Sequence, residues 1–397
     1  MKYYPRNIEA SLTSAVSHFR VIVLTGARQT GKSTVLQKLF GKTHRYVTLD
    51  NPRDLSLAKS DPEFFFKEYG DQVILDEIQR APELLLYIKQ AVDKSPKKGR
   101  FILTGSQQFE MMKNLQETLA GRAALFHLLP MAVGEGPAKH ADYIWRSLHG
   151  SYPEIVCSSK HDVARWYASY VATFIERDVQ PFYRLEKIAH FRDFLFLLGS
   201  RNAQALNYQS LASDLGVSIH AIKYWTKILE TAGVIYLLRP YYRNFGSRIT
   251  KSPKVYFCDN GLVSYLTATQ TKSQLLQGPM AGAMFENHAL QETLKFFVNQ
   301  GLIPPVYYYR TNNGLEVDLV IEKKPGELLG FEIKSSATPR IAMTSSLARL
   351  DDLVQKKHIR FLSRGIVCLA EKSFPLDRDI RAWSVPEYLT HLASFFK

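Results

Sequence analysis

An eight-residue, glycine-containing loop near the start of the chain has the spacing of a phosphate-binding motif. Residues 26–33 read Gly-Ala-Arg-Gln-Thr-Gly-Lys-Ser, after an apolar run and before a helical pattern. Gly26 and Gly31 let the backbone curl, so that loop N–H groups and a helix N-terminus face the β- and γ-phosphates of a nucleotide. Lys32 is expected to reach those phosphates, and Ser33 to offer its hydroxyl to Mg²⁺. The residues expected to contact the nucleotide are Gly26, Ala27, Arg28, Gln29, Thr30, Gly31, Lys32, Ser33 and Thr34.

Two adjacent carboxylates follow a second apolar run downstream. Residues 73–77 read Val-Ile-Leu-Asp-Glu, the Walker B pattern. In a strand buried on both faces, Asp76 would lie at the carboxyl end, where its carboxylate can hold Mg²⁺ directly or through water. Glu77 is then placed to polarise the attacking water. The alternative is a buried strand that ends in two solvated acids, but the Walker A loop upstream favours the catalytic interpretation.

Further polar residues suit the chemistry of phosphoryl transfer. Ser106 ends the next apolar run, where a side chain can sense the γ-phosphate. An arginine that reaches the γ-phosphate from a neighbouring subunit can raise the rate by about 10³–10⁵. Arg122 is the best candidate for this role, with Arg80 and Arg177 as further candidates; an ordinary surface position is the alternative for each arginine.

Short apolar runs alternate with helical stretches over residues 1–135. Such alternation predicts an α/β fold with a parallel sheet and a ligand at the carboxyl ends of the strands. The sequence therefore predicts a P-loop ATPase core over this range. The runs expected to form strands are Val21–Thr25, Tyr46–Asp50, Val73–Asp76, Phe101–Thr104 and Ala124–Leu128.

The motifs of this core resemble those of the AAA+ family. Residues 26–33, Leu75–Gln79 and Leu103–Ser106 carry the resemblance, and more narrowly they are similar to prokaryotic ATPases fused to a C-terminal domain of unknown function with a nuclease-like signature. The segments Ser151–Glu154 and Phe174–Asp178 look like the linker region of that group, so the resemblance covers essentially the whole chain. It implies a homo-oligomer, ring-like or smaller, with nucleotide at the subunit boundaries.

The middle of the chain predicts a helical lid or linker at 136–200 and a winged helix-turn-helix at 201–268. A helix from Tyr208, a turn at Gly216 and an N-cap at Ser218 precede a second helix. Wing strands are expected at Val234–Arg239 and Lys254–Phe257. On the second helix Ile219, Ile222, Thr226 and Leu229 share one face, whereas His220, Lys223 and Lys227 share the other, with Trp225 between.

The predicted winged helix is basic. Residues 201–260 hold eight Lys and Arg, Arg243 and Lys254 among them, against three acids, a balance of +5. Cationic and aromatic side chains on a wing suit contacts with DNA phosphates and bases. The alternative is a packing module beside the ATPase core, so the sequence leaves DNA contact open.

The last range, 269–397, predicts an α/β fold similar to restriction endonucleases. A hairpin of Leu315–Glu322 and Leu328–Ser335 follows a turn signal, with Leu315, Val317, Leu319 and Ile321 expected on one face. Asp318, Glu332 and Lys334 would meet on the other face, and Glu286 could add a carboxylate from a helix, Phe285–Phe297. Such a set can hold Mg²⁺ or Mn²⁺ for phosphodiester cleavage. The alternative is a solvated hairpin, or a fold kept as a binding module.

Composition sets wider limits. The 397 residues carry 51 Lys and Arg against 37 Asp and Glu, and the net charge of +14 favours polyanionic partners such as DNA. The three cysteines fit neither a disulfide framework nor a metal site, and no apolar stretch of about eighteen residues occurs. We expect a cytoplasmic protein without a membrane partner. The main hypothesis is an ATPase coupled to DNA-binding modules; the alternatives are an ATP-licensed nuclease and a protein-binding scaffold with a slow ATPase switch.

Overall fold

The computed structural model describes residues 2–70, 72–106, 118–158, 162–175, 185–241, 252–355 and 359–396, with only the backbone described for residues 106 and 185–187. Its N-terminal part is built on a five-stranded sheet. The strands are β1 Val21–Gly26, β2 Arg45–Thr48, β3 Val73–Asp76, β4 Phe101–Ser106 and β5 Ala123–His127. Every neighbouring pair is parallel, in the order β2-β3-β4-β1-β5. The predicted parallel α/β fold is confirmed, with all five runs in place.

Alternate residues of the central strand pack on opposite faces of this sheet. Val21 and Val23 join one buried cluster, whereas Ile22 and Leu24 join another. This two-sided burial explains why β1 reads as a continuous apolar run. The helices of this part are α1 Glu9–His18, α2 Lys32–Phe40, α3 Pro52–Ser60, α4 Pro62–Tyr69 and α5 Leu84–Asp93.

Helices occupy most of the described part of residues 136–200, the range predicted as a helical lid or linker. The helices are a 3-10 turn Ala138–His140, α6 Tyr143–His149, α7 Pro153–Val156, α8 Val163–Phe174 and α9 Leu185–Ser200. A single buried cluster runs from Tyr152 to Met284, so the predicted linker and winged helix share one hydrophobic core.

Two consecutive helices and a small antiparallel sheet occupy the range of the predicted winged helix. They are α10 Tyr208–Leu215, α11 Ile219–Thr231, β6 Gln204–Ala205, β7 Ile235–Leu238 and β8 Lys254–Phe257. Ser218 caps α11 by accepting from the Ala221 N–H, as predicted. Ile219 is exposed rather than buried with Ile222, because it occupies the first turn of the helix. The assignment of these elements as a winged helix stays an interpretation.

The C-terminal part holds a six-stranded mixed sheet. Its elements are α12 Asn260–Leu266, α13 Lys272–Gln277, α14 Ala281–Val298, β9 Val306–Arg310, β10 Glu316–Lys324, β11 Glu327–Lys334, a 3-10 turn Ile341–Thr344, α15 Ser345–Gln355, β12 Arg360–Cys368, β13 Phe374–Pro375, β14 Ile380–Ser384 and α16 Val385–Ala393. The strand order is β13-β14-β12-β11-β10-β9. The predicted hairpin is β10 and β11, and the restriction-endonuclease-like assignment stays an interpretation.

A register shift in β10 changes one predicted face. The pairing of β10 with β9 shifts between Val317 and Val320. Val317 therefore packs with Val320 on one face of the sheet, whereas Leu319 and Ile321 pack on the other. The single apolar face expected for this strand is wrong at Leu315 and Val317, since an irregularity in the ladder reverses the side-chain direction after Val317.

Helix α14 also contacts the ATPase part directly. Glu292 accepts from the Val133 N–H at 2.8 Å, and the Lys295 ammonium donates to the Met131 carbonyl at 3.1 Å. The two side chains pair at 2.8 Å, each 3% exposed. The C-terminal and ATPase parts are thus joined through buried polar groups. Within the described residues, no helix is both long and apolar enough to cross a bilayer.

Candidate nucleotide site

The backbone conformation of the loop between β1 and α2 requires its glycines. Gly26 has φ +149° and Gly31 has φ +89°, both in the region that favours glycine. A Cβ on Gly26 would lie 2.4 Å from the Leu128 carbonyl oxygen at the end of β5. The first glycine is therefore required by close packing as well as by its dihedral angle.

A cavity of about 420 Å³ lies over this loop and the start of α2. Most of its lining comes from the predicted nucleotide contacts, and Glu77 adds the carboxylate that the sequence predicts to be catalytic. Tyr170 and Thr173 of α8 close another side. The lining residues are Arg28, Gln29, Gly31, Lys32, Ser33, Thr34, Glu77, Tyr170 and Thr173.

The two Walker motifs meet through their side chains. The Ser33 hydroxyl donates to Asp76 Oδ2 at 2.7 Å, and the Lys32 ammonium donates to the carbonyls of Gly26 and Ala27 at 3.1 and 2.9 Å. Asp76 lies at the carboxyl end of β3, as predicted. This arrangement places a hydroxyl, a carboxylate and an ammonium at the edge of the sheet where a nucleotide's phosphates bind.

Tyr46 is a part of this site that the sequence analysis missed. Its hydroxyl also donates to Asp76 Oδ2. Burial, together with the hydrogen bond to Asp76, raises the pKa of Tyr46 to about 12, so the group stays a donor at neutral pH. The parallel pairing of β2 with β3 brings Tyr46 beside the carboxylate, and that pairing is not visible in a single apolar run.

Glu77 occupies a left-handed backbone conformation, with φ +59°. Such a conformation costs a non-glycine residue on the order of 1 kcal/mol and is common at functional sites. Its N–H donates to Asp76 Oδ1 at 3.1 Å, and its carboxylate accepts from the Gln79 side chain. The two consecutive carboxylates therefore point to different partners, which suits the separate roles predicted for them.

The tip of β4 adds a buried hydroxyl. Thr104 pairs with Asp76 in the register of β3 and β4, and it is fully buried. Among the described residues its hydroxyl has no hydrogen-bond partner. An unpaired buried hydroxyl beside Asp76 is suited to bind a ligand oxygen. Ser106, predicted as the γ-phosphate sensor, follows two residues later, and its side chain lies outside the described part of the chain.

The candidate arginines lie at different ends of the sheet. Arg122 forms a two-point ion pair with Asp93, at 2.6 and 3.0 Å. Its carbonyl binds the Val21 N–H at the amino end of β1, so Arg122 lies at the edge opposite the phosphate-binding loop. Arg80 pairs with Asp50 at 2.5 Å, beyond the carboxyl ends of β2 and β3. Arg177 lies outside the described residues.

The turn after α11 contacts the phosphate-binding loop. A Cβ placed on Gly233 would lie 3.5 Å from the Ala27 nitrogen and 3.6 Å from the His127 ring. Burial and the nearby Lys32 charge lower the pKa of His127 to about 4, so this imidazole is neutral at physiological pH. The helical module at 201–268 therefore packs directly on the nucleotide site.

Comparison with known proteins decides the family. An AAA domain model matches residues 18–136, and models of two domains of unknown function, DUF8612 and DUF4143, match residues 140–273 and 281–388. Uncharacterized proteins of Mycobacterium bovis and Mycobacterium tuberculosis are each 31% identical to this chain over 388 residues, which is 97% of this chain and 84% of theirs. The chain belongs to their family. It is a P-loop ATPase of the AAA group with a C-terminal domain of unknown function.

Solved structures of P-loop ATPases resemble parts of this AAA protein. The Walker-type ATPase of Pyrococcus abyssi is 13% identical, covers 65% of this chain and 94% of its own, and has a TM-score of 0.42. RuvB of Thermotoga maritima is 17% identical, covers 58% of this chain and 86% of its own, and has a TM-score of 0.29.

The predicted C-terminal residues of the AAA protein do come together. The Lys334 ammonium lies 2.8 Å from Asp318 Oδ2 and 2.7 Å from Glu332 Oε2. On the other side of Asp318, the Lys254 ammonium lies 3.0 Å from Glu286 and 2.6 Å from Glu316. We call these six residues the C-terminal charge cluster.

A second metal in the C-terminal charge cluster is not supported. In the ranges that the structure describes, no group of three or more His, Cys, Asp or Glu side chains is arranged to hold a metal ion. The metal role predicted for Glu286, Asp318, Glu332 and Lys334 therefore has no support among the described residues. The two lysine ammonium groups lie between the carboxylates and occupy their oxygens as hydrogen-bond and ion-pair partners.

The burial of Lys254 removes this residue from the predicted DNA-binding surface. Its side chain is 4% exposed and is held by carboxylates, so it is unavailable to a phosphate backbone. The sequence analysis counted it among the cations of the wing because it lies on β8, but both faces of that strand are covered. His220, Lys223 and Lys227 of α11, in contrast, are exposed as predicted. Arg243 lies outside the described residues.

Proposed function

We propose that this protein hydrolyses ATP with Mg²⁺ and couples its nucleotide state to DNA binding by its C-terminal modules. The observation that carries the proposal is the contact of Ser33 with Asp76 at 2.7 Å, beside Lys32 and under a cavity of about 420 Å³. A hydroxyl, a carboxylate and an ammonium in this arrangement suit a metal-bound triphosphate.

The donor set fits Mg²⁺. Ser33 and Asp76 supply hard oxygen ligands, which Mg²⁺ prefers, and the Tyr46 hydroxyl orients the carboxylate. Bound there, Mg²⁺ would neutralise charge on the phosphates. Lys32 binds β- and γ-phosphate oxygens in this proposal, and Glu77 orients the attacking water.

A neighbouring subunit completes the site in the proposed homo-oligomer. Arg122 lies at the edge of the sheet opposite its own phosphate-binding loop, so it can reach only another subunit's nucleotide. That role requires its ion pair with Asp93 to open. Arg80 and Arg177 are the further candidates, and Ser106 is the proposed sensor of the γ-phosphate.

Contacts between the cavity and the helical module support the coupling. Tyr170 and Thr173 of α8 line the cavity, and the turn at Gly233 rests on Ala27. A phosphate that changes the loop would therefore act directly on α8 and on the turn after α11. The same helix α11 presents His220, Lys223 and Lys227 to solvent, where they can meet DNA phosphates.

The test is ATP turnover with and without single- and double-stranded DNA, with the DNA examined on a gel afterwards. We expect Mg²⁺-dependent turnover that DNA stimulates and that Asp76→Asn abolishes. Asp54→Asn is the matched control, because Asp54 contacts Tyr69 on α4 and lies away from the cavity. Turnover that is unaffected by Asp76→Asn or by chelation of Mg²⁺ would refute the proposal.

The same experiment separates the alternatives. DNA cleavage in Mg²⁺ or Mn²⁺ that is lost in Asp318→Ala would support the ATP-licensed nuclease. ATP turnover that DNA neither stimulates nor inhibits, with no DNA binding at low salt, would favour the protein-binding scaffold.

A further inference from the structure

A buried arginine near the N-terminus lies directly beneath the phosphate-binding loop. Arg6 donates from Nη1 to the Thr30 carbonyl at 2.9 Å and from Nη2 to the Leu129 carbonyl at 2.8 Å. Its Nε pairs with Glu135 Oε2 at 2.9 Å, and the two side chains are 4% and 1% exposed. One guanidinium thus links the loop, the segment after β5 and a buried carboxylate.

Glu135 is itself held in one orientation. Its Oε2 also accepts from the Ala132 N–H at 2.7 Å, and its Oε1 accepts from the Asn7 N–H at 2.5 Å. A carboxylate with three donors defines both the place and the plane of the guanidinium that it pairs with. The Arg6 side chain is therefore held in one position, where it hydrogen-bonds to the loop. It lies 24 residues away from Thr30 in the sequence.

The contact with Thr30 sets the direction of the next N–H group. The Thr30–Gly31 peptide is trans, so the Gly31 N–H points opposite to the Thr30 carbonyl. The carbonyl is directed at Arg6, and Gly31 is among the residues that line the cavity. Gly31 has φ +89°, a conformation that leaves this peptide free to rotate unless its carbonyl is held.

We propose that Arg6 is a positioning residue for ATP binding, which holds the Thr30–Gly31 peptide so that its N–H faces the phosphates, with Glu135 as the group that orients Arg6. The inference rests on the proposed binding of ATP in this cavity. It adds a determinant of affinity that lies outside both Walker motifs. Arg6 touches no reacting atom, so it acts on binding rather than on the chemical step.

The test compares ATP affinity with folding stability in Arg6→Lys. A lysine keeps the charge beside Glu135, but its single ammonium cannot span three acceptors as a guanidinium does. We expect the dissociation constant and the KM for ATP to rise about tenfold or more, the size expected for one lost charge-assisted hydrogen bond. The kcat at saturating ATP should stay close to that of the wild type, since Lys32, Ser33 and Glu77 are untouched.

Two further variants keep the test decisive. Arg364→Lys is the matched control, because Arg364 pairs with Asp351 at 2.6 Å in the C-terminal part, away from the cavity. It should lower the melting temperature without changing the ATP affinity. Glu135→Gln leaves Arg6 in place but weakens its orientation, and we expect a smaller rise in the dissociation constant. If Arg6→Lys fails to fold, the ATP affinity of Glu135→Gln tests the role of Arg6 instead.

The possible outcomes distinguish a failure of the role of Arg6 from a failure of the proposed ATP binding. A lower melting temperature in Arg6→Lys with unchanged ATP affinity would mean that Arg6 only stabilises the fold, and the inference would be wrong. A drop in kcat at unchanged KM would also overturn it. Failure of the wild type to bind ATP would instead refute the proposed function, and the inference with it.

Discussion

Replacement of Glu332 by glutamine should make the protein more stable in alkaline solution and leave it unchanged in acid. Glu332 is 4% exposed on β11, and burial together with the neighbouring Asp318 charge raises its pKa to about 8 from the ordinary 4.5. Its Oε2 accepts from Lys334, whereas Oε1 has no partner among the described residues. Ionisation of this carboxyl is therefore unfavourable in the folded state.

The sign and size of this change in stability follow from the pKa values of Glu332 in the folded and unfolded states. Because the folded pKa lies above the unfolded one, the contribution of Glu332 to stability is fully present below pH 4.5 and is lost as the pH rises through 8. At 1.36 kcal/mol per pH unit, the gap between 4.5 and about 8 corresponds to an upper value of about 4–5 kcal/mol. Glutamine keeps an oxygen for Lys334 and removes the ionisation.

Urea unfolding near pH 5 and near pH 8.5 measures the effect. We expect Glu332→Gln to exceed the wild type by about 2–4 kcal/mol at the higher pH, and the difference to fall toward zero at the lower one. Glu327→Gln on the same strand is the control: Arg360 lowers the pKa of that exposed carboxyl, so this variant should gain no stability in alkali. An equal difference at both pH values would show that Glu332 is ionised in the fold, and the reasoning would be wrong.

Further predictions concern the nucleotide site and α11. Lys32→Ala should weaken ATP binding by about 100-fold or more in calorimetry, because charge-assisted bonds to two phosphates are lost; an unchanged titration would exclude the assigned role. Glu77→Gln should still bind ATP but hydrolyse it about 10²–10⁴-fold more slowly, and turnover at the wild-type rate would contradict its role in orienting water. Lys223→Ala combined with Lys227→Ala should lower DNA affinity and reduce the slope of log K against log salt by about 2, measured by fluorescence anisotropy. Equal affinity of this variant and the wild type at low salt would remove α11 from the DNA surface.

The parts of the site that are local in sequence could be predicted from it. The phosphate-binding loop needs glycines, a lysine and a serine within eight residues, so its chemistry and its structure are encoded in one segment. Asp76 and Glu77 follow directly from the end of a buried run. The hairpin that brings Asp318 and Glu332 together could likewise be predicted, since a Lys-Pro-Gly break at 324–326 separates the two strands.

Contacts between distant segments could not be predicted in this way. Tyr46 reaches the site through the order in which strands pair. Arg6 reaches it from the segment before α1, through contacts with Thr30, Leu129 and Glu135 that a single sequence does not reveal. Lys254 was placed on a DNA surface because its own segment is basic, whereas its burial depends on carboxylates from β10 and α14. The register shift in β10 has the same origin, because a ladder irregularity depends on the partner strand rather than on the pattern of apolar residues.

The polar contacts between α14 and the segment after β5 affect which fragments of the protein can be stable on their own. A polypeptide that stopped before α14 would leave the Val133 N–H without Glu292, and the Met131 carbonyl would keep only the long bond from Arg146 Nη1 at 3.4 Å. The orphaned Val133 N–H would cost about 1–3 kcal/mol if it stayed buried. An ATPase fragment cut at a boundary between family models should therefore be less stable than the intact chain, and proteolysis should release no long-lived N-terminal piece.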